Sequence, residues 1–418
     1  MVQHNNEQIE IMAPAGSFES LNAAIKAGAD AVYFGVDDLN MRKRAAANFK
    51  IADLPKIVKL CSKANVNTYL TLNTLIYDSD IQLMKKICDA AKKANISAVI
   101  ATDISVIEYA RKIGLRVHMS TQTNVSNIQA VKFFSKYSDT IVLARELTLE
   151  QIKGICDAVK KEKIKGPNNE LVKIEVFIHG ALCVSIAGKC CMSLATHNLS
   201  ANRGECLQNC RRAYRVIDEE SGDELVLDNR YVMSPKDLCT IRFLDKILDA
   251  GVSVLKIEGR GRGPEYVFKV TKAYKEAVNL YKQGKFTQEK AAELEKELEK
   301  VFNRGFWQGG YYLGKKLGEW AGTYGSKSTE VKMSLGAVKN YFAKTKIVDI
   351  LIETGSLKLG DKILITGQTT GAIETEVKEI VVNEKQVKIA NKGDRVTIKL
   401  LEKAREKDRV FKLIKRSA

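Results

Sequence analysis

Residues 9–36 read "IEIMAPAGSFESLNAAIKAGADAVYFGV". An apolar run at 9–16 is followed by a stretch at 17–28 whose apolar residues stand three and four apart, and then by a second apolar run at 31–36. The first and third pieces predict buried strands, and the middle one predicts an amphipathic helix lying across them. A strand, a helix and a strand in that order form one unit of a parallel sheet.

Outward from this unit the pattern repeats. Further strand candidates are "NTYLTLN" (67–73), "AVIATD" (98–103), "RVHMSTQ" (116–122), "TIVLAREL" (140–147), "KIEVFIHG" (173–180) and "VSVLKIEG" (252–259). With the first two they make eight. Helical periodicity recurs between them, at 80–95, 149–163 and 236–251 among others. Eight βα units in this length predict a TIM (β/α)8-type barrel over residues 1–286, because open doubly wound sheets usually carry fewer strands. No GxGxxG follows the first strand, which disfavours a dinucleotide fold.

The period breaks after the seventh strand. Residues 181–235 stand where a helix is due, and they leave the strand at its C-terminal end, the face on which TIM-barrel active sites lie. The insertion contains "CVSIAGKCCMSLATHNLSANRGECLQNC" (183–210) and then two alternating runs around "ESGDE", which predict a β-hairpin. A charged helix and a Gly- and aromatic-rich connector fill 287–330. From 331 to 418 short alternating runs with turn signals predict a small antiparallel β-barrel.

Five of the nine cysteines fall in that one stretch of the insertion. The N-terminus lacks a signal-peptide core and no apolar run reaches the roughly 20 residues that span a bilayer, so a cytoplasmic protein is expected. A reducing cytosol disfavours disulfides, and nine thiols cannot all pair. Cys183 and Cys190 form one pair and Cys206 and Cys210 another; brought together, they suit either a [4Fe–4S] cluster or a zinc ion. Zinc more often shows two C-x2-C pairs. Cys191 is spare, while Cys61, Cys88, Cys156 and Cys239 fall among apolar neighbours on predicted helices and read as core.

At the C-terminal ends of the predicted strands stand Asn73, Asp103, His118, Ser120, Gln122, Arg145, Glu146, His179, Glu258 and Arg260. Arginines at such a rim suit carboxylates or phosphates, and His and Glu supply proton transfer. The simpler reading pairs Arg145 with Glu146 and Glu258 with Arg260 as rim salt bridges. Net charge adds a further constraint: the chain carries +17, and residues 331–418 hold 19 basic against 11 acidic side chains. Such a surplus attracts polyanions. RNA is favoured over a lipid surface because the tail "KAREKDRVFKLIKR" shows no clear apolar face. Lys412, Lys415 and Arg416 are its candidate RNA contacts.

"APAGSFESLNAAIKAGADAVYFG", "HMSTQTNVSN", "VLARELTLEQI", "HGALCVSIAGKC" and "LKIEGRGRGPEYV" together resemble the collagenase-like peptidase family U-32. The pair Cys206 and Cys210 followed by Arg211, with the basic C-terminal domain, resembles the family's tRNA hydroxylation branch. That resemblance implies oxygen-independent 5-hydroxylation of the wobble uridine of tRNA, with prephenate as hydroxyl source. It also implies an iron–sulfur cluster on Cys183, Cys190, Cys206 and Cys210. On this reading Arg145, Arg260, His118 and Gln122 bind a small dicarboxylate, while His179 and Glu258 are catalytic. A peptidase is the alternative, although neither a G-x-S-x-G elbow nor an H-E-x-x-H helix is present. A non-catalytic RNA-binding scaffold would account for the charge but not for the polar rim.

Overall fold

The computed structural model describes residues 9–44, 47–222, 224–225, 231, 233–314, 319–323 and 325–416. The chain begins with strand β1 (Glu10–Pro14), helix α1 (Phe18–Lys26), β2 (Ala31–Gly35), α2 (Leu54–Ser62), β3 (Asn67–Leu72), α3 (Ile81–Lys93), β4 (Ala98–Ala101) and α4 (Ile104–Lys112). It continues through β5 (Val117–Met119), α5 (Ile128–Ser135), β6 (Thr140–Val142), α6 (Leu149–Lys161) and β7 (Lys173–Gly180). Local chemistry sets the helix starts. Ser17 and Asp103 accept hydrogen bonds from the first turns of α1 and α4, and Thr148 with Gln151 forms a capping box on α6.

The insertion contributes α7 (Met192–His197) and a hairpin of β8 (Val216–Ile217) and β9 (Glu224–Leu225). The predicted hairpin runs on into 226–230, outside the described residues. Then come β10 (Asp237–Cys239), α8 (Leu244–Asp249), β11 (Val254–Ile257), α9 (Pro264–Lys282), α10 (Gln288–Glu299) and β12 (Phe306–Gln308). Strands β1 to β7 pair in sequence order, and β11 pairs in parallel with both β1 and β7, closing an eight-stranded barrel. Apolar Met12, Ala31, Tyr69, Ala98, Ile100 and Val254 pack inside it, and the helices cover it through the large outer core.

Two expectations change around β7. Residues 236–251 do not form one helix; they open as β10, which puts Cys239 on a strand, although still buried. The cause is an exposed edge. β6 pairs with β7 only as far as Glu175, so the rest of that edge is free, and β10 covers its end antiparallel through Leu238–Gly180 and Cys239–His179. A register shift in the β7–β11 ladder then places His179, in place of Ile178, opposite Ile257. One extra residue reverses which face a side chain takes. His179 is thereby turned out of the barrel.

The C-terminal part is antiparallel: β13 (Glu330–Phe342), β14 (Ile347–Ile352), β15 (Ser356–Lys358), β16 (Lys362–Gly367), β17 (Gly371–Glu376), β18 (Val381–Val382), β19 (Lys385–Gln386), β20 (Ile389–Asn391), β21 (Arg395–Lys399) and β22 (Arg409–Lys415). Its aliphatic core includes Leu335, Val338, Ile350, Ile365 and Val410. It docks on α1 and α9 through a small apolar contact of Ala23, Leu364 and Ala372. Around that contact lie Lys26–Glu402 at 3.0 Å, Lys269–Glu374 at 2.8 Å and Lys332–Glu265 at 2.7 Å. Asn22 Nδ2 also donates to the Gln368 carbonyl at 2.7 Å. No helix among the described residues is long and apolar enough to cross a membrane.

Candidate active site at the barrel mouth

Alternation along β11 and the loop after it sends Lys256, Glu258 and Arg260 to the same side, toward the barrel axis. They line a cavity of about 240 Å³ at the C-terminal mouth, with Arg145 and Gln122 from neighbouring strand ends. The insertion closes the other side: Cys183, Cys190, Cys206 and Cys210 all open on the same space. It is seated firmly. The Leu75 amide donates to the Asn202 carbonyl at 3.1 Å, Arg203 pairs with Asp80, and Lys43 lies 3.8 Å from Glu205. Gly188, at φ +76°, lies so close to Gln122 that a Cβ there would collide with its Oε1.

Backbone amides already point at two of the sulfurs: Met192 N–H to Cys190 Sγ at 3.5 Å and Gln208 N–H to Cys206 Sγ at 3.4 Å. Burial pushes the Cys210 thiol up to about 11; Arg211 beside it opposes that shift and the other three cavity sulfurs reinforce it. Among the described residues no three His, Cys, Asp or Glu side chains close tightly enough around one point to hold a lone metal ion. Cys191 is exposed and does not line the cavity.

Seven cationic side chains line the cavity against one carboxylate. Arg260 is 5% exposed, and its Nη1 donates to Asn40 Oδ1 at 3.0 Å and to Thr71 Oγ1 at 2.7 Å. Burial lowers its pKa to about 10, which leaves it charged at neutral pH. Arg145 lies 4.0 Å over the Phe177 ring and donates from Nη1 to the Ala181 carbonyl at 3.3 Å, while its buried Nε has no partner. Glu258 is gripped by Arg42 through Nη2 at 2.9 Å and Nε at 3.3 Å. Burial alone would raise this carboxyl, but Arg42 and Arg262 outweigh it and bring the pKa down to about 2. Among the described residues neither Arg145–Glu146 nor Glu258–Arg260 forms an ion pair, so the simple rim pairing does not occur.

Several positions differ from expectation. His179 does not face the cavity: the register shift lodges it among Tyr266, Tyr274 and Phe306, 2% exposed, where burial lowers its pKa to about 3. His118 points inward but sits one layer too deep, 4.4 Å from the Tyr69 ring, and burial likewise takes it to about 3. Neither can exchange protons with a ligand at the mouth. Glu258 lines the cavity as a clamped anion, poorly suited to proton transfer. Lys412 is half-buried and held by Asp361 at 2.6 Å, while Lys415 and Arg416 are both exposed, Arg416 with one donor on the Ser326 carbonyl.

Sequence reasoning missed Arg42, Lys256, Arg211, Arg262 and Arg304 at the cavity. Lys256 was open to discovery, since it stands two residues before Glu258 on an alternating strand. Arg42 had no such signal, being in a loop seven residues beyond β2.

The sequence profile of Peptidase family U32 matches residues 16–322. A protein named collagenase from Porphyromonas gingivalis (strain ATCC BAA-308 / W83) is 51% identical over 412 residues, covering 99% of each chain. The tRNA hydroxylation protein P1 of Bacillus subtilis (strain 168) is 33% identical over 65% of this chain and 63% of its own. A 23S rRNA 5-hydroxycytidine synthase of Escherichia coli (strain K12) is 32% identical over 66% of this chain and 40% of its own. The barrel with its cysteine-bearing insertion thus falls within one group whose members carry the names of peptidases and of RNA hydroxylases: this chain belongs to peptidase family U32.

Proposed function

We infer that this protein is an RNA-modifying enzyme that hydroxylates C5 of the wobble uridine of tRNA without oxygen, taking the hydroxyl group from prephenate and using a [4Fe–4S] cluster. The observation that carries this reading is the composition of one cavity: four thiols on one wall, an excess of arginine opposite, and no histidine. Four soft donors facing one space suit a [4Fe–4S] cluster, which takes four thiolate ligands. Amide-to-sulfur hydrogen bonds of the kind made by Met192 and Gln208 stabilise thiolate ligands. A cluster held by Cys183, Cys190, Cys206 and Cys210 would supply redox chemistry or a Lewis-acidic iron.

The chain's own residues account for the dicarboxylate. Arg260 is fixed through Nη1, so its remaining N–H groups are pre-aimed, and Arg145 holds an unsatisfied Nε donor beside the cavity. Two guanidinium forks match two carboxylates. Glu258 holds Arg42 in place and tempers a site that would otherwise be uniformly positive. Lys415 extends the basic surface on the C-terminal domain toward a polyanion.

The collagenase name of the 51% identical relative favours a peptidase as second reading. Hydrolysis needs a nucleophile with a base in reach, yet both buried histidines lie away from the cavity and Glu258 is too acidic to serve. Mass spectrometry of tRNA nucleosides decides the matter, using a strain without the gene complemented by wild type, Arg145→Ala or Arg260→Ala. Wild type should restore a wobble uridine carrying one added oxygen, and the two variants should not. Failure by wild type, together with cleavage of collagen by the purified protein, would establish the peptidase.

A further inference from the structure

The cavity described above lacks the proton acceptor that the hydroxylase reading demands. A pyrimidine carbon that exchanges hydrogen for hydroxyl must release a proton, and neither histidines nor Glu258 can take it. On the floor of the same cavity stands Lys256, 4% exposed, with Nζ 2.7 Å from Oε1 of the fully buried Glu175. Among the described residues Glu175 is its sole hydrogen-bond partner, so Nζ retains donors free to face the cavity. Glu175 Oε2 has no partner at all.

We propose that Lys256, paired with Glu175, is the general base of this site. The inference rests on the hydroxylase reading. The N–H proton of Lys256 passes along the 2.7 Å hydrogen bond to Glu175, leaving a neutral amine and a neutral acid. The amine then takes the proton from the substrate carbon: the C–H bond breaks, its electron pair stays in the pyrimidine ring, and the proton ends on Nζ. The ring pair forms the new C–O bond while the C–O bond of the hydroxyl donor breaks with its electron pair staying on the donor carbon, which then takes the proton from Nζ. The donor is thereby reduced by two electrons and the pyrimidine oxidised by two. Lys256 carries only the proton.

Two arrangements favour the neutral form of the pair. Both groups lie in the barrel interior, and burial pushes Lys256 down and Glu175 up, each partner opposing the other's shift. Arg260 from beyond β11 and Arg145 from beyond β6 add positive charge that lowers Lys256 further. Against these, the Tyr33 ring on β2 at 4.7 Å from Nζ and the Phe177 ring on β7 at 5.4 Å favour the ammonium. His118 on β5, which itself feels the charge of Lys256 and Lys173, is neutral, and Glu258 is committed to Arg42. The other cavity-lining thiols are assigned to the cluster, and burial raises the Tyr33 hydroxyl out of range.

The test uses the cluster-loaded enzyme, prephenate and a tRNA anticodon stem–loop with uridine at the wobble position, under anaerobic single turnover across pH. Lys256→Arg keeps the charge but cannot deprotonate; it should bind prephenate within about threefold of wild type and react roughly 10²-fold more slowly, the lower range for loss of a general base. Glu175→Gln, which removes the acceptor of the Lys256 proton and leaves the amine to lose it to solvent, should move the acid limb of the rate profile to higher pH. This second variant stands even if the arginine is not accommodated. Turnover of Lys256→Arg within threefold of wild type, or an acid limb unmoved in Glu175→Gln, overturns the proposal. No hydroxyuridine from wild type itself refutes the hydroxylase reading and the base with it, an outcome distinguishable from failure in the variants alone.

Discussion

Arg260→Met separates a ligand-binding arginine from a structural one, because the two roles predict losses in different quantities. In the free protein Arg260 is a buried cation that, among the described residues, has no carboxylate partner and bonds to Asn40 and Thr71. The burial that lowers its pKa from 12.5 to about 10 disfavours the charge by about 3 kcal/mol. Removing it forfeits two charge-assisted hydrogen bonds worth about 1.5 kcal/mol each, so the losses and gains nearly cancel. The melting temperature of the free protein should move by less than about 3 °C. Ligand binding should suffer far more: one charge-assisted pair worth about 2 kcal/mol corresponds to a roughly 30-fold weaker Kd. At a prephenate concentration 100 times the wild-type Kd, ligand stabilises wild type by about 2.7 kcal/mol and should stabilise the variant by about 0.9 kcal/mol. Thermal unfolding with and without prephenate, checked by calorimetric titration, measures both quantities. A free variant that melts 5 °C or more lower yet keeps the full ligand-induced shift would refute the reasoning and make Arg260 a strut.

Anaerobically purified protein should be brown, and Ala at Cys183, Cys190, Cys206 or Cys210 should each abolish the iron absorbance while Cys61→Ala retains it; one tightly held zinc in colourless wild type would defeat the cluster. His118 and His179 are both lowered to about 3, below the usual 6.5, so their neutral burial contributes stability above pH 6.5 that is lost as pH falls toward 3. Each should add about 1.4 kcal/mol per pH unit to the slope of stability through that window, and urea titrations of His179→Gln should show a slope smaller by that amount. Lys415→Ala should reduce the salt dependence of tRNA binding by close to one counterion, whereas Lys412→Ala, already neutralised by Asp361, should change it less. Equal effects in filter binding across a salt series would contradict this.

The eight barrel strands were legible because each buries both faces and reads as an apolar run, and because helical periodicity separates them. The cysteine pairs were legible as a composition anomaly on a strand end. Hidden from sequence was any event decided by pairing partners. The single residue of slippage between β7 and β11 moved His179 from the rim to the outer core, and the free edge of β7 made a strand of residues that carry a helical pattern. His118 was placed on the correct face but at the wrong depth, since alternation fixes direction and not layer. Arg42 reaches the cavity from a loop, where neither period applies.

The seam between the barrel and the C-terminal domain has a mechanical consequence. Its apolar contact is small, but its ion pairs tie α1 and α9 to β13, β17 and the loop before β22, so rotation about one contact strains the others. If RNA is the substrate, as proposed above, the two parts would behave as a ruler. For an RNA that touches Lys415 and also presents a base to the mouth, the span is set by the protein, and a stem too short or too long forfeits one end. Selection among RNAs would thus proceed by length and shape before any base is read, and high salt, by loosening the seam, would widen the tolerated lengths as well as weaken the grip.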